Sequence, residues 1–153
     1  MKEDDRHIRK SHNVSLLLYH IVCPAKYRRD VFTKEVGETL KEVCLGIEQR
    51  FEIHFIEIGI DSDHVHFLVQ SVPTMSPQYV TQIIKSLTAR IIFKTHPEVK
   101  KKLWGGQFWT KGYYVNTVGR FGSLETIANY VKKQGTTYES LHKNQPTLFD
   151  SIN

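Results

Sequence analysis

Residues 51–69 constrain the fold more than any other part of the chain. From Phe51 to Ile60 the apolar positions Ile53, Phe55 or Ile56, and Ile58 alternate with polar ones; Asp61-Ser62-Asp63 supplies a turn, and a second apolar run follows from His64 to Val69. Two such runs joined by a short polar turn make an antiparallel hairpin. Each side of the hairpin carries an amphipathic helix. Upstream, Val36, Leu40, Val43, Cys44 and Ile47 recur at helical spacing from about Thr33 to Gln49. Downstream, Ser76 is placed to cap and Pro77 to occupy the first turn. The stripe Val80, Ile83, Ile84, Leu87, Ile91 and Ile92 then continues until the helix ends near His96-Pro97.

A strand lies outside each helix. Val14 to Val22 is rich in Val, Leu, Ile and Tyr and ends at Cys23-Pro24, where the proline stops a central strand. After Gly105-Gly106, Phe108 to Val115 reads as the fourth strand. Val118-Gly119-Arg120-Phe121-Gly122 forms a glycine-punctuated linker, and Ser123 caps a last helix that runs to about Gln134 with Gly135 as its stop. The order βαββαβ plus a C-terminal helix is that of a ferredoxin-like α+β domain. It predicts one antiparallel sheet with two helices on one face, leaving the other face for a ligand or partner.

At 153 residues the chain is expected to form a single domain, 1–153, with no internal repeat or low-complexity tract. No apolar run is long enough to span a bilayer, and the charged start MKEDDRHIRK is not a signal peptide, so a cytoplasmic protein is expected. Cys23 and Cys44 have no metal or redox spacing and read as small buried thiols in a reducing compartment. The formal charge of +5 favours a polyanionic partner. Three basic clusters carry it: Lys26 with Arg28 and Arg29, Lys100-Lys101-Lys102, and Lys132-Lys133. Separate clusters suit an extended phosphate backbone, although each alone is equally an ordinary solvated surface.

Chemistry enters with Asp63-His64-Val65-His66. Two histidines one residue apart on a strand point to the same face of the sheet, which is half a metal site or simply a polar sheet face. Tyr130 and Gln134, four apart, share one face of the last helix, and either could equally be a packing or last-turn residue. If that face docks beside the histidines, two imidazoles and an amide oxygen surround a divalent ion, with a phenol alongside. The aromatics Trp104, Phe108, Trp109, Tyr113 and Tyr114 suit base stacking or core packing. The six other histidines show no ligand pattern.

Taken together the chain resembles the IS200/IS605-type transposases, the single-tyrosine members of the HUH nuclease group. The resemblance runs over almost the whole length. It is carried by Tyr19-His20-Ile21-Val22, Pro24-Ala25-Lys26-Tyr27-Arg28-Arg29, Asp63-His64-Val65-His66, Phe108-Trp109 with Gly112-Tyr113-Tyr114-Val115, and Tyr130 with Gln134. It implies that His64, His66 and Gln134 hold Mg²⁺ or Mn²⁺ and that Tyr130 is the nucleophile. It further implies single-stranded DNA with subterminal hairpins as substrate, cleaved to a 5′-phosphotyrosine and a free 3′-OH and then rejoined. Homodimers are implied too, with the tyrosine helix of one subunit completing the histidine site of the other. On that basis the basic clusters would meet DNA, the first two at the hairpin and Lys132 and Lys133 at the cleaved strand. Two alternatives share these features: a domesticated relative that processes repeated hairpins, and a non-catalytic nucleic-acid-binding module using the open sheet face.

Overall fold

Four strands form one antiparallel sheet in the order His54–Ile60 (β4), His64–Ser71 (β5), Leu17–Pro24 (β3) and Tyr114–Thr117 (β6). The computed structural model describes residues 5–104 and 106–119. Their elements are β1 (Ile8–Arg9), β2 (Val14–Ser15), β3 (Leu17–Pro24), α1 (Lys34–Arg50), β4 (His54–Ile60), β5 (His64–Ser71), α2 (Pro77–Thr95), α3 (Pro97–Lys102) and β6 (Tyr114–Thr117). The sheet with α1 and α2 is the ferredoxin-like α+β arrangement read from the pattern. The linker beyond Gly119 and the terminal helix, with Tyr130, Gln134, Lys132 and Lys133, lie outside the described residues.

The helices start where their caps predict. The Thr33 hydroxyl accepts from the Val36 amide, and the Ser76 hydroxyl accepts from the Tyr79 amide with Pro77 behind it. Both helices cover the same sheet face. Val36, Leu40, Cys44 and Ile47 from α1, and Val80, Ile84 and Ile92 from α2, share a core with Tyr19, Ile21 and Cys23 of β3 and Val65, Phe67 and Val69 of β5. By strand alternation His20 and Val22 of β3, and His64, His66 and Leu68 of β5, belong to the opposite face.

Three elements differ from the pattern. Apolar content makes Val14 to Val22 look continuous, but pairing divides it: β2 joins β1 in a separate two-stranded ladder, and β3 joins the main sheet and continues through Pro24, which pairs with His64. Pro97 ends α2 and also opens α3, a start that proline's fixed φ favours at a first helical position. The fourth strand begins at Tyr114 instead of Phe108. Phe108 and Trp109 are buried in the core, Trp109 Nε1 donates to Thr88 Oγ1 at 3.0 Å, and Trp109 forms an isolated bridge with Ala25. The Lys85 ammonium on α2 donates to the carbonyls of Thr110 and Lys111, and the Thr110 amide donates to the Pro24 carbonyl at the end of β3.

Both cysteines are free and buried. Burial pushes the Cys23 thiol up to about 12 and raises the Cys44 thiol as well. The folded protein at pH 8 should therefore give no prompt reaction with Ellman's reagent, and both thiols should appear when guanidinium is added. Labelling of either thiol without denaturant would show that this part of the core opens readily.

Candidate active site

β5 places His64 and His66 on one face because successive strand residues alternate sides. The strand has a neighbour on each side. His66 sits opposite Val22 of β3 and Gly59 of β4, and His64 opposite Pro24. Both imidazoles are buried, with ring centroids 5.1 Å apart and planes at 72°.

Each histidine is oriented through its Nδ1. His64 Nδ1 lies 2.6 Å from Asp63 Oδ1, so the ring donates to the carboxylate. Asp63 Oδ2 in turn faces Arg28 Nε at 3.4 Å. Burial alone would raise the Asp63 carboxyl, but the His64 hydrogen bond and the Arg28 charge outweigh it and hold its pKa below the ordinary value. His66 Nδ1 lies 2.8 Å from Nε2 of His20, whose ring stacks on it at 5.1 Å with planes 19° apart. Burial, with His20 and His64 close by, drives His66 well below the usual imidazole range. Burial likewise lowers His20 to about 4, partly offset by the Asn116 side chain, which accepts from the ring. His66 and His20 are therefore neutral at pH 7, the state in which imidazole binds a metal.

With Nδ1 committed in both rings, a ligand of this pair is met through Nε2. Two imidazoles with oriented outer nitrogens fit a divalent cation that keeps further positions for oxygen donors. Among the described residues no group of three or more His, Cys, Asp or Glu side chains is arranged to hold a metal. His20 stands beside the pair with its Nε2 turned to His66 Nδ1.

The first two basic clusters converge. The segment after β3 turns sharply through Tyr27 and Arg28, at φ 58° and 52°, a left-handed conformation costly for residues with a side chain. Backbone bonds tie the segment to the site and to the core: the Ala25 amide donates to the Asp63 carbonyl and the Lys26 amide to the Phe108 carbonyl, each at 2.8 Å. The Lys102 ammonium reaches the Asp30 carbonyl, which joins α3 to the same region. Of the cations read as DNA contacts, Arg28 is engaged with Asp63, whereas Lys100, Lys101 and Lys102 line α3 on the surface. Phe108 and Trp109 prove to be core, while Tyr27 and Trp104 are 65% and 84% exposed.

Sequence reasoning passed over His20 and Asn116. His20 stands in the quoted segment Tyr19-His20-Ile21-Val22, but its partner is 46 positions away and no local spacing reveals the pair.

A family model described as "Transposase IS200 like" matches residues 13–134. The chain is 31% identical over 118 residues to the ISDra2 transposase TnpA of Deinococcus radiodurans, covering 77% of this chain and 84% of that protein. It is 32% identical over 120 residues to the transposase for insertion sequence element IS200 of Salmonella typhimurium, covering 76% and 75%. A crystal structure assigned to a transposase from Deinococcus radiodurans superposes with a TM-score of 0.68 at 28% identity, over 83% of this chain and 97% of that one. The structure of a REP-associated tyrosine transposase bound to a REP hairpin shares the fold, with a TM-score of 0.56 at 8% identity, over 86% and 73%.

Proposed function

Because the chain belongs to the family of IS200-like transposases, we propose that it cleaves and rejoins single-stranded DNA at hairpin-marked ends with Tyr130 as nucleophile and a divalent cation on His64, His66 and Gln134. The observation that carries this reading is the buried histidine pair, each ring held through Nδ1 by a separate partner. That arrangement is what a metal-binding histidine needs from its surroundings. Tyr130 and Gln134 enter on the sequence spacing and the family membership.

The chain's own groups divide the work. His64, His66 and the Gln134 amide oxygen hold the ion, Mg²⁺ or Mn²⁺, and imidazole makes Mn²⁺ at least as suitable. A divalent ion held by these residues would supply charge neutralisation at the scissile phosphate. The Tyr130 oxygen attacks phosphorus and forms a phosphotyrosine bond to the 5′ side. The bond from phosphorus to the 3′ oxygen breaks, and that oxygen takes up a proton to leave a free 3′-OH. In strand joining a 3′-OH attacks the phosphotyrosine and the tyrosine oxygen is released, so the energy of the broken diester is retained and no nucleotide is consumed.

The surface around Lys26, Arg29 and Lys100 to Lys102, with exposed Tyr27 and Trp104, suits a hairpin: lysines for phosphates and rings for unpaired bases. The protein would act in the cytoplasm as a homodimer in which each terminal helix can serve the partner's histidine pair. Among the described residues no helix is long and apolar enough to cross a membrane.

The test is direct. Incubated with a labelled single-stranded oligonucleotide bearing an end hairpin and Mn²⁺, the protein should form an adduct that survives denaturation, and EDTA should prevent it. A cognate strand that is bound but never linked to protein would overturn the nuclease reading and favour the binding module.

A further inference from the structure

His20 carries no role in the reaction described above, yet it is buried against one of the two histidines that carry most. It comes from β3, diagonally across from His66 on β5, and stands directly opposite Asn116 on β6. Asn116, His20 and His66 therefore form a row across three adjacent strands. His66 Nδ1 lies 2.8 Å from His20 Nε2, and Asn116 flanks His20 on the neighbouring strand.

The direction of this row decides what His66 can do. A neutral imidazole has one N–H and one lone pair, so the His20–His66 bond can run either way. Were His20 Nε2 the donor, His66 would accept at Nδ1 and carry its proton on Nε2, where it could not bind a cation. The outer end of the row settles the choice. Asn116 Nδ2 donates to the Thr117 carbonyl at 3.0 Å, and the Asn116 side chain acts to raise the His20 imidazole, as an amide oxygen that accepts a ring N–H does. With Nε2 of His20 facing His66, that oxygen accepts from His20 Nδ1–H. His20 Nε2 is then a lone pair, His66 Nδ1–H donates to it, and Nε2 of His66 is left as an acceptor. Asp63 sets the same tautomer in His64 through a carboxylate.

We propose that His20, held by Asn116, is a positioning residue that locks His66 in the Nδ1–H tautomer and so presents its Nε2 to a divalent cation. The proposal rests on the reading of His64 and His66 as cation ligands. It also gives β6 a purpose beyond edge pairing: the strand that leads toward the tyrosine segment sets the protonation pattern of the site.

Two measurements test it on the full chain, neither of which requires DNA cleavage. Long-range ¹H–¹⁵N NMR of the metal-free protein should show His66 with a protonated Nδ1 and a pyridine-like Nε2, and His20→Leu should mix or invert that pattern. Titration with Mn²⁺ alone, followed by the EPR signal of the free ion, should show about 10–100-fold weaker binding in His20→Leu. His20→Gln, whose amide oxygen can accept from His66 Nδ1–H, should restore most of the affinity. Asn116→Ala removes only the outer link and should shift both readouts in the same direction by less, so the question stays open to test should His20→Leu fail to fold. A wild-type His66 protonated at Nε2 would overturn the proposal, as would variants with unchanged tautomer and affinity. If the wild type binds no Mn²⁺, the cation reading of the pair fails by itself, and the proposed lock on His66, judged on the NMR of the variants, loses its purpose.

Discussion

Tyr130→Phe should bind hairpin DNA with the affinity of the unmodified protein and form no covalent adduct at all. The substitution removes one oxygen and retains the ring, so whatever packing or stacking the side chain provides survives. What is lost is the nucleophile, and removing a nucleophile that acts in concert with its surroundings costs on the order of 10⁶-fold in rate. Gel retardation should be unchanged while the denaturation-resistant band disappears. A residual adduct would point to another nucleophile, with Tyr138 the nearest tyrosine in sequence. Mixing Tyr130→Phe with His64→Ala adds a second reading. Each variant is dead alone, but a dimer that shares its sites combines one intact histidine pair with one intact tyrosine, and the adduct should return in the mixture.

His64→Ala and His66→Ala should abolish metal-dependent cleavage by a different route. A cation that stabilises a phosphoryl transition state supplies several kcal/mol, and losing it slows the reaction about 10³-fold or more. Hairpin binding should persist, because the basic surface lies on the β3–α1 connection and on α3. The two substitutions are not equivalent for the fold. His64→Ala leaves Asp63 still paired with Arg28, whereas His66→Ala deprives buried His20 of its partner, a loss of about 1–3 kcal/mol. The His66 variant should therefore melt at the lower temperature of the two. Loss of DNA binding in both would mean that the histidines hold the fold and not a cation.

The hairpin, its histidines and both helix starts were legible in the sequence because each depends on local spacing. Alternation over 51–69 puts His64 and His66 on one face, and Thr33 and Ser76 cap through amides three residues ahead. The rest depends on distant partners. Phe108-Trp109 has strand-like residues but is drawn into the core, where Thr88 supplies the indole with an acceptor. Arg28 reads only as one of a basic cluster, and its ion pair with Asp63, far along the chain, is invisible to local spacing. His20 is one more buried strand histidine until β3 and β5 pair.

The middle of β3 has a further consequence for motion. Residues Tyr19 to Val22 are hydrogen-bonded to β5 on one edge and β6 on the other, and among the described residues β6 pairs with the sheet through this stretch alone. Amide protons there should exchange with solvent only when the whole domain unfolds, whereas those of β6 can escape by the peeling of a single short edge strand. His66, paired across from Val22, is thus anchored against this slow-exchanging stretch, and the chain beyond β6 leaves from an edge that opens more easily.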